Sequence, residues 1–498
     1  MANPLEKILI KAFEGTTSLL CGSQKHALRQ DQLHIGNAAH LYHPKHQEPL
    51  YLSTSQQLRH CYIIGSSGAG KSSLLYYLIT QSILAGNGGG AIIDPHGDTF
   101  NDILNFIAGP YSKGKSPKEL QQIANKVVLI DPSNTDFITG FNPLEAKGVD
   151  SYSQAMTFVN FLKALWSDAH WGPRMEELIR NTFVTLIVNR CTLLEAKALL
   201  TDPLFREQLV SNLPEGEVLE YWIYRYNKLS DRMQATYREP ILNRLSVFLS
   251  NPTIRLMVGL KESINFRKIM DQGNWLLVNL NKGNLKANAH LLGSFIIGKL
   301  QLSSFSRVDV PPEKRTPFFL FVDEFQNFVG QDFETILSEA RKYGLGLTLA
   351  HQNLDQIDRT LRSAILGNTL THIIFQTSNQ DAATLAAELG QSDKSMIQRK
   401  LVNLKQRRAF FKKKGEPARL MTTHYVTPSK VSQKDVQEFI TRSMSFHARP
   451  REEVEQEISN RIYHLKKPEG SPWKQSLEKD FDDETFAPDK KYEEFEEW

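Results

Sequence analysis

Cysteine is scarce in this sequence of 498 residues, with three present: Cys21, Cys61 and Cys191. Their odd number and wide spacing exclude a disulfide framework and a zinc-binding pair, which suits a reducing compartment. No run approaches the roughly 18 consecutive apolar residues of a membrane-spanning helix. The first 22 residues also lack the basic region and sustained apolar core of a signal peptide. We therefore expect a soluble protein of the cytoplasm.

Charge of one sign is also not in excess, because 59 basic residues face 55 acidic ones and the formal net charge is +4. Any nucleic-acid surface must therefore be local. The densest basic cluster is compatible with two interpretations, a surface that faces phosphates or a solvated face. Its members are Lys394, Arg399, Lys400, Lys405, Arg407, Arg408, Lys412, Lys413 and Lys414.

The chain is longer than a single domain with one hydrophobic core usually is, so two or more domains are expected. Strand and helix patterns alternate on both sides of a long stretch whose apolar residues follow helical spacing. The fold class predicted is α/β with an all-α insertion. The predicted regions are a small β-rich segment (1–58), the first part of a nucleotide-binding domain (59–150), an all-α insertion domain (151–261), the second part of the nucleotide-binding domain (262–427), and a helical then acidic tail whose end is expected to be disordered (428–498).

One stretch, from Tyr62 to Thr80, predicts a strand, a glycine-rich turn and a helix. Its turn fills the phosphate-binding pattern G-x-x-x-x-G-K-[ST], in which glycines bring backbone N–H groups close to phosphates and the helix N-terminus faces the same anion. Lys71 is expected to contact the β- and γ-phosphates, and the Ser72 hydroxyl to bind Mg²⁺. The predicted nucleotide-binding residues are Gly65, Ser66, Ser67, Gly68, Ala69, Gly70, Lys71, Ser72 and Ser73.

A second hydrophobic strand, within Pro317 to Phe328, ends in the carboxylates of Asp323 and Glu324. Downstream of a phosphate-binding loop, this pattern predicts that Asp323 holds Mg²⁺ through its water shell and that Glu324 is the general base toward the attacking water. A further strand, Leu345 to Ala350, is followed by Gln352, whose amide could sense the γ-phosphate.

Other charged residues allow two interpretations each. Arg341, at the end of a predicted helix from Glu334 to Tyr343, either reaches a neighbouring subunit's γ-phosphate or is a solvated helix end. After the strand Ala91 to Ile93, Asp94 and Asp98 either orient water and metal, or Asp98 caps the following helix.

Six motifs in this order resemble the type IV secretion coupling ATPases, which belong to the HerA/FtsK superfamily of RecA-like DNA motors. They are GSSGAGKSS, IIDPHGD, GFNPLE, FVDEFQNF, EARKYGLGLTLAHQNLDQI and ILGNTLTHIIFQTSNQDA. The resemblance spans residues 33–426 and continues weakly to 462. It implies a RecA-like P-loop NTPase domain that assembles as a ring, typically a hexamer, with ATP and Mg²⁺ between subunits and DNA in the channel.

At matching positions the resemblance assigns Lys71 and Ser72 to phosphate and Mg²⁺, Asp323 to Mg²⁺ and Glu324 to the base. It also assigns Gln352 to sensing and Arg341 to catalysis in trans. Membrane-anchored coupling proteins begin with spanning helices, and no such run occurs in this sequence, so a separate membrane-anchored secretion partner at the inner membrane is one expectation.

Three functions remain open on the sequence. The first is an ATP-driven DNA translocase for conjugative or mobile-element transfer. The second is a nucleotide-gated adaptor ring that recruits a relaxase or nuclease through the helical insertion or the acidic tail. The third is a HerA-like motor for DNA processing or phage defence.

Overall fold

The structure, a computed structural model, describes most of the chain between residues 31 and 466. The described residues are 31–39, 47–146, 149–165, 171–285, 288–328, 333–390 and 393–466. The predicted acidic end of the tail, within 467–498, lies outside them.

Eleven of the described strands form one sheet in the order β2-β1-β12-β11-β10-β3-β9-β8-β4-β7-β5, and β6 pairs with β13. Their bounds are β1 Gln32–Ala39, β2 Gln47–Ser53, β3 Cys61–Ile64, β4 Gly89–Asp94, β5 Val127–Ile130, β6 Phe137–Ile138, β7 Trp275–Asn279, β8 Phe318–Val322, β9 Leu345–His351, β10 Thr371–Ile374, β11 Arg408–Lys413, β12 Arg419–Thr423 and β13 Arg449–Pro450.

The strands from β10 to β5 in this order all run parallel. Parallel strands are covered on both faces and therefore read as continuous apolar runs. The strand β8 shows this, since its sequence FFLFV is buried at every position. The carboxyl ends of these strands meet at one edge, and the phosphate-binding loop after β3 opens there.

The antiparallel strands extend the sheet on the other side of β10. The predicted β-rich N-terminal segment contains β1 and β2. The strand β1 pairs with β12 and continues the same sheet, so the described part of this segment is an edge of the sheet that holds the phosphate-binding loop.

Helices cover both faces of the sheet and fill the region between β6 and β7. Their bounds are α1 Thr54–Gln57, α2 Lys71–Ala85, α3 Asp98–Phe106, α4 Pro117–Asn125, α5 Ser151–Leu165, α6 Pro173–Val188, α7 Ala196–Thr201, α8 Pro203–Val210, α9 Glu217–Glu220, α10 Asp231–Leu249, α11 Pro252–Gly259, α12 Phe266–Asp271, α13 Lys282–Leu285, α14 Asn288–Phe305, α15 Phe333–Glu339, α16 Arg359–Asn368, α17 Asn379–Leu389, α18 Lys394–Val402, α19 Gln433–His447 and α20 Arg451–Lys466.

The elements described between β6 and β7 are all helical, as the apolar spacing predicts. Trp222 is fully buried among them, and its indole N–H donates to the Thr185 hydroxyl at 2.8 Å. Trp171 is also buried and donates to Glu176. These indoles therefore pack the helical region and are not open platforms for bases.

Two C-terminal helices pack on different parts of the chain. The first, α19, was not predicted, and it buries Phe439 and Met444 in the core beside the sheet. The second, α20, covers α11 with the buried Val454 and Ile458, and Arg461 pairs with the buried Glu195 at 2.8 Å. The described part of the predicted tail is thus integrated into the fold.

A buried histidine, His60, predicts a pH-dependent stability. It is 1% exposed, its Nδ1 accepts the Leu347 N–H at 3.0 Å, and burial lowers its pKa from 6.5 to about 4. Between pH 6.5 and about pH 4 the unfolded chain binds a proton at His60 that the folded chain does not, so the free energy of unfolding falls as the pH falls. The slope from this group is about 1.4 kcal/mol per pH unit.

We expect His60→Asn to remove this slope, because asparagine tolerates the left-handed backbone of position 60 (φ 65°) and keeps an acceptor. Urea unfolding at about pH 7 and about pH 5 should show the wild type losing about 2 kcal/mol more than the variant. Other titrating groups are common to both proteins. Equal losses would contradict the assignment of this slope to His60.

Candidate nucleotide-binding site

The phosphate-binding loop lies between β3 and α2 and is anchored by both neighbouring strands. The Gly65 N–H donates to the His351 carbonyl at 3.3 Å and the Ser66 N–H to the Gln376 carbonyl at 2.7 Å. Gly68 and Gly70 adopt positive φ angles of 74° and 117°. The helix begins at Lys71 with no side-chain cap, so the N–H groups of its first turn have no capping side chain. Such a helix terminus is suited to an anion.

The Lys71 side chain is 6% exposed and folds back over the loop. Its Nζ donates to the carbonyls of Gly65 at 2.6 Å and Ser66 at 3.2 Å. Burial lowers the pKa of Lys71, and the carboxylates of Glu324 and Asp323 oppose that shift. A phosphate bound in the loop would therefore give the Lys71 ammonium a charged acceptor in place of these two carbonyls.

Ser72 and Asp323 lie together, with the Ser72 hydroxyl donating to Oδ2 of Asp323 at 3.3 Å. Asp323 is 8% exposed, and burial raises its pKa to about 6, with the charges of Glu324 and Asp94 adding to that shift. This hydroxyl–carboxylate pair fits the oxygen preference of Mg²⁺. In the described residues no group of three or more His, Cys, Asp or Glu side chains could hold a metal ion. A metal here would therefore need phosphate and water as further ligands.

Glu324 is held by amides on both carboxylate oxygens. Its Oε1 accepts from the Gln352 side chain at 2.9 Å and its Oε2 from the Gln326 side chain at 2.8 Å. The residue is 6% exposed and adopts a left-handed backbone, φ 45°, which is uncommon for a residue other than glycine. The Asn327 amide donates to the Glu324 carbonyl at 2.7 Å and so supports this conformation.

Gln326 is a site residue that the sequence analysis missed. Its position two residues after Glu324, in the quoted motif FVDEFQNF, was the available signal. Its own Oε1 is buried without a hydrogen-bond partner. The structure thus brings Ser72, Asp323, Glu324 and Gln352 together, as the sequence predicted, and adds a second amide on the carboxylate.

The helix after β4 is capped by Asp94 and not by Asp98. The two oxygens of Asp94 accept the N–H groups of His96 at 2.9 Å and Phe100 at 3.0 Å. Asp98 is the first helical residue of α3, and the N-cap position is Gly97. The buried Asp94 therefore has a structural role and acts on the site through its charge on Asp323.

Arg341 is not near Lys71 in the same chain. It lies, exposed, in a single helical turn before β9, whereas the loop lies beyond the carboxyl end of β3. Its charge instead contributes to the lowered pKa of His60, at the amino end of β3. The seven residues of β9 span roughly 20 Å. Arg341 therefore lies apart from the phosphate-binding loop of its own chain.

The basic cluster does not form one surface. Arg407 lies at the loop edge, where its N–H donates to the Ala69 carbonyl at 2.8 Å. Lys412 pairs with His372 in β10, and the N–H of Lys414 donates to the Leu370 carbonyl just before that strand. Because β11 runs antiparallel to β10, these lysines lie toward the opposite edge of the sheet from Arg407.

Two family models match the chain on either side of the helical region. "Helicase HerA, central domain" matches residues 33–165, which include the phosphate-binding loop, and "TraM recognition site of TraD and TraG" matches residues 317–431, which include Asp323 and Glu324. In these two regions the chain is similar to the HerA helicases and to TraD and TraG. No curated protein matches the sequence.

Solved structures similar to this protein include the unbound bacterial conjugative coupling protein TrwB, with 17% identity, 76% of this chain and 87% of that chain covered, and a TM-score of 0.55. The structure of TrwB in complex with ADP and Mg²⁺ is 16% identical, with 77% of this chain and 89% of that chain covered and a TM-score of 0.54. VirB4 of Thermoanaerobacter pseudethanolicus is 14% identical, with 81% of this chain and 98% of that chain covered and a TM-score of 0.51. The predicted fold, a RecA-like P-loop NTPase domain with an all-α insertion, is confirmed.

No helix in the described ranges is long and apolar enough to cross a membrane.

Proposed function

We propose that this protein is an ATP-driven DNA translocase that works as a ring of subunits, typically a hexamer, in conjugative or mobile-element DNA transfer. One observation carries the proposal. The Ser72 hydroxyl, the carboxylates of Asp323 and Glu324, and the Gln352 amide meet at the opening of the phosphate-binding loop.

In the proposed reaction, the first turn of α2 and Lys71 hold the triphosphate. Ser72 and Asp323 would hold Mg²⁺, which would offset the charge that develops on the phosphates. Glu324 accepts the proton of the attacking water. Each oxygen of Glu324 accepts one amide hydrogen bond in this structure and keeps a second lone pair that can accept from water. Gln352 follows β9, and its amide could move its hydrogen bond from Glu324 to the γ-phosphate.

Two further observations support a DNA motor and a ring. The family models describe a HerA helicase domain and a region of TraD and TraG. Arg341 is exposed at the edge of the sheet opposite the loop, so a ring in which subunits face head to tail would place it at the next site. A relaxase, nuclease or membrane-anchored partner would be recruited through the all-α region or the acidic tail.

We expect DNA to raise the ATP hydrolysis rate of the purified protein several-fold, because a translocase couples phosphate release to movement along the polymer. The measurement is steady-state phosphate release with and without double- and single-stranded DNA. An acidic polymer without bases, such as polyphosphate, is the control for charge alone. A nucleotide-gated adaptor would hydrolyse ATP no faster with DNA, and that result would overturn the translocase proposal.

A further inference from the structure

The side of the phosphate-binding loop remote from Asp323 and Glu324 is formed by the start of β11 and the end of β12. The N–H of Arg407 donates to the Ala69 carbonyl at 2.8 Å, and a Cβ added to Gly70 would lie 3.4 Å from the Cα and Cγ of Arg407. The N–H of Thr423 donates to the Arg407 carbonyl at 2.9 Å and its hydroxyl at 3.2 Å. Arg407 is therefore fixed directly against the loop.

This fixed position carries backbone strain. Arg407 has a φ of 66°, in the left-handed region that a bulky side chain adopts at a cost. Such conformations persist where surrounding contacts hold them, and they concentrate at ligand sites. The hydrogen bonds from Thr423 and to Ala69 are the contacts that hold this one.

An open aromatic ring lies next to Arg407. The guanidinium carbon of Arg407 lies 5.4 Å from the ring centroid of Tyr425, which is 48% exposed. The preceding residue, His424, packs its ring 5.1 Å from that of Tyr77 in α2. The backbone at Tyr425 is thus anchored to the helix that follows the loop, while its side chain is half open to solvent.

The direction of a bound nucleotide follows from the strand order. Its γ-phosphate must face Glu324 and Gln352, which follow β8 and β9 on one side of β3. The sugar and base then extend toward the other side of β3, where β10, β11 and β12 lie. Arg407 lies on that side against the loop, and Tyr425 follows His424, which packs on the helix after the loop.

We propose that Tyr425 is the stacking platform for the base of the bound nucleoside triphosphate, with Arg407 holding the ring in place and directing its charge toward the α-phosphate. This inference rests on the proposed function, because it requires a triphosphate in the loop. Stacking on an aromatic ring is tolerant of base identity, so the ligand class is a nucleoside triphosphate without strict selection for adenine.

The test compares ATP with inorganic triphosphate as ligands of the same loop. Dissociation constants are measured with Mg²⁺ by displacement of a fluorescent nucleotide, in a Glu324→Gln background that retains the ligand. We expect Tyr425→Ala to weaken ATP binding roughly ten- to a hundredfold and to leave inorganic triphosphate within about twofold. Tyr425→Trp should restore ATP binding, since it keeps a stacking surface.

Tyr224→Ala is the matched control, since Tyr224 is 68% exposed in the helical region and its loss should alter neither constant. Equal weakening of ATP and triphosphate by Tyr425→Ala, or no weakening of either, would overturn the stacking role. Failure of the proposed function would look different. In that case the parent protein would bind ATP no better than a Lys71→Ala variant, whatever residue occupied position 425.

Discussion

Replacing Glu324 by glutamine is expected to lower ATP hydrolysis by about 10²–10⁴-fold while nucleotide binding stays within about twofold. The substitution keeps the shape of the side chain but removes the proton acceptor. Its carbonyl oxygen can still accept from the Gln352 amide, and its amino group can donate to the Gln326 side-chain oxygen once that amide turns over. The variant should therefore fold normally and hold ATP without cleaving it. The measurements are single-turnover hydrolysis and equilibrium nucleotide binding.

Glu313→Gln is the matched control, because Glu313 is exposed in the turn before β8 and its loss changes the net charge by the same amount. It should leave hydrolysis unchanged. A Glu324→Gln protein that still cleaved ATP at more than a tenth of the normal rate would show that another group activates the water. A variant that failed to bind ATP would instead show that Glu324 shapes the phosphate site.

The parts of the site that the sequence predicted share one property, which is that each directly follows a buried parallel strand. Lys71 and Ser72 lie in a motif whose spacing fixes its conformation, and Asp323, Glu324 and Gln352 end the apolar runs of β8 and β9. Because the carboxyl ends of parallel strands meet at one edge, local sequence was sufficient to bring these residues together. The fold class was predictable for the same reason.

The parts that the sequence did not predict depend on pairings between distant segments. Arg407 and Tyr425 flank the β11–β12 hairpin, which reaches the loop only because β11 pairs with β10, a strand remote in sequence. No periodicity within residues 405–426 indicates which edge of the sheet those residues face. Gln326 shows a different cause, since its role depends on the left-handed turn at Glu324 and not on the residue type alone.

The missed helix α19 has a third cause. Its buried positions, Phe439 and Met444, lie five residues apart among polar neighbours, with the partly buried Val436 and Ile440 completing the apolar face. The stripe has helical spacing, but the surrounding polar residues resemble those of a solvated tail. Contact with β5, where the Ser443 hydroxyl donates to the Val127 carbonyl at 2.6 Å, makes it part of the core.

We expect Arg341→Ala to lower ATP hydrolysis by about 10³–10⁵-fold, because an arginine supplied by a neighbour stabilises the charge of the transferring phosphoryl group. Nucleotide binding by each subunit should change little, since Arg341 lies at the opposite edge of the sheet from the loop of its own chain. Arg359→Ala, at an exposed arginine that begins α16, is the matched control and should retain activity.

Mixing two inactive proteins separates action in trans from action in cis. An Arg341→Ala subunit still has Glu324, and a Glu324→Gln subunit still has Arg341. Where the two are neighbours in the right order, one composite site contains both groups and hydrolysis should return. If Arg341 acted within its own chain, every site in the mixture would lack one group and no activity would return. If mixed rings form and no hydrolysis returns, Arg341 is not the arginine that acts in trans. A role in cis would not explain that result, because Arg341 lies far from the nucleotide site of its own chain.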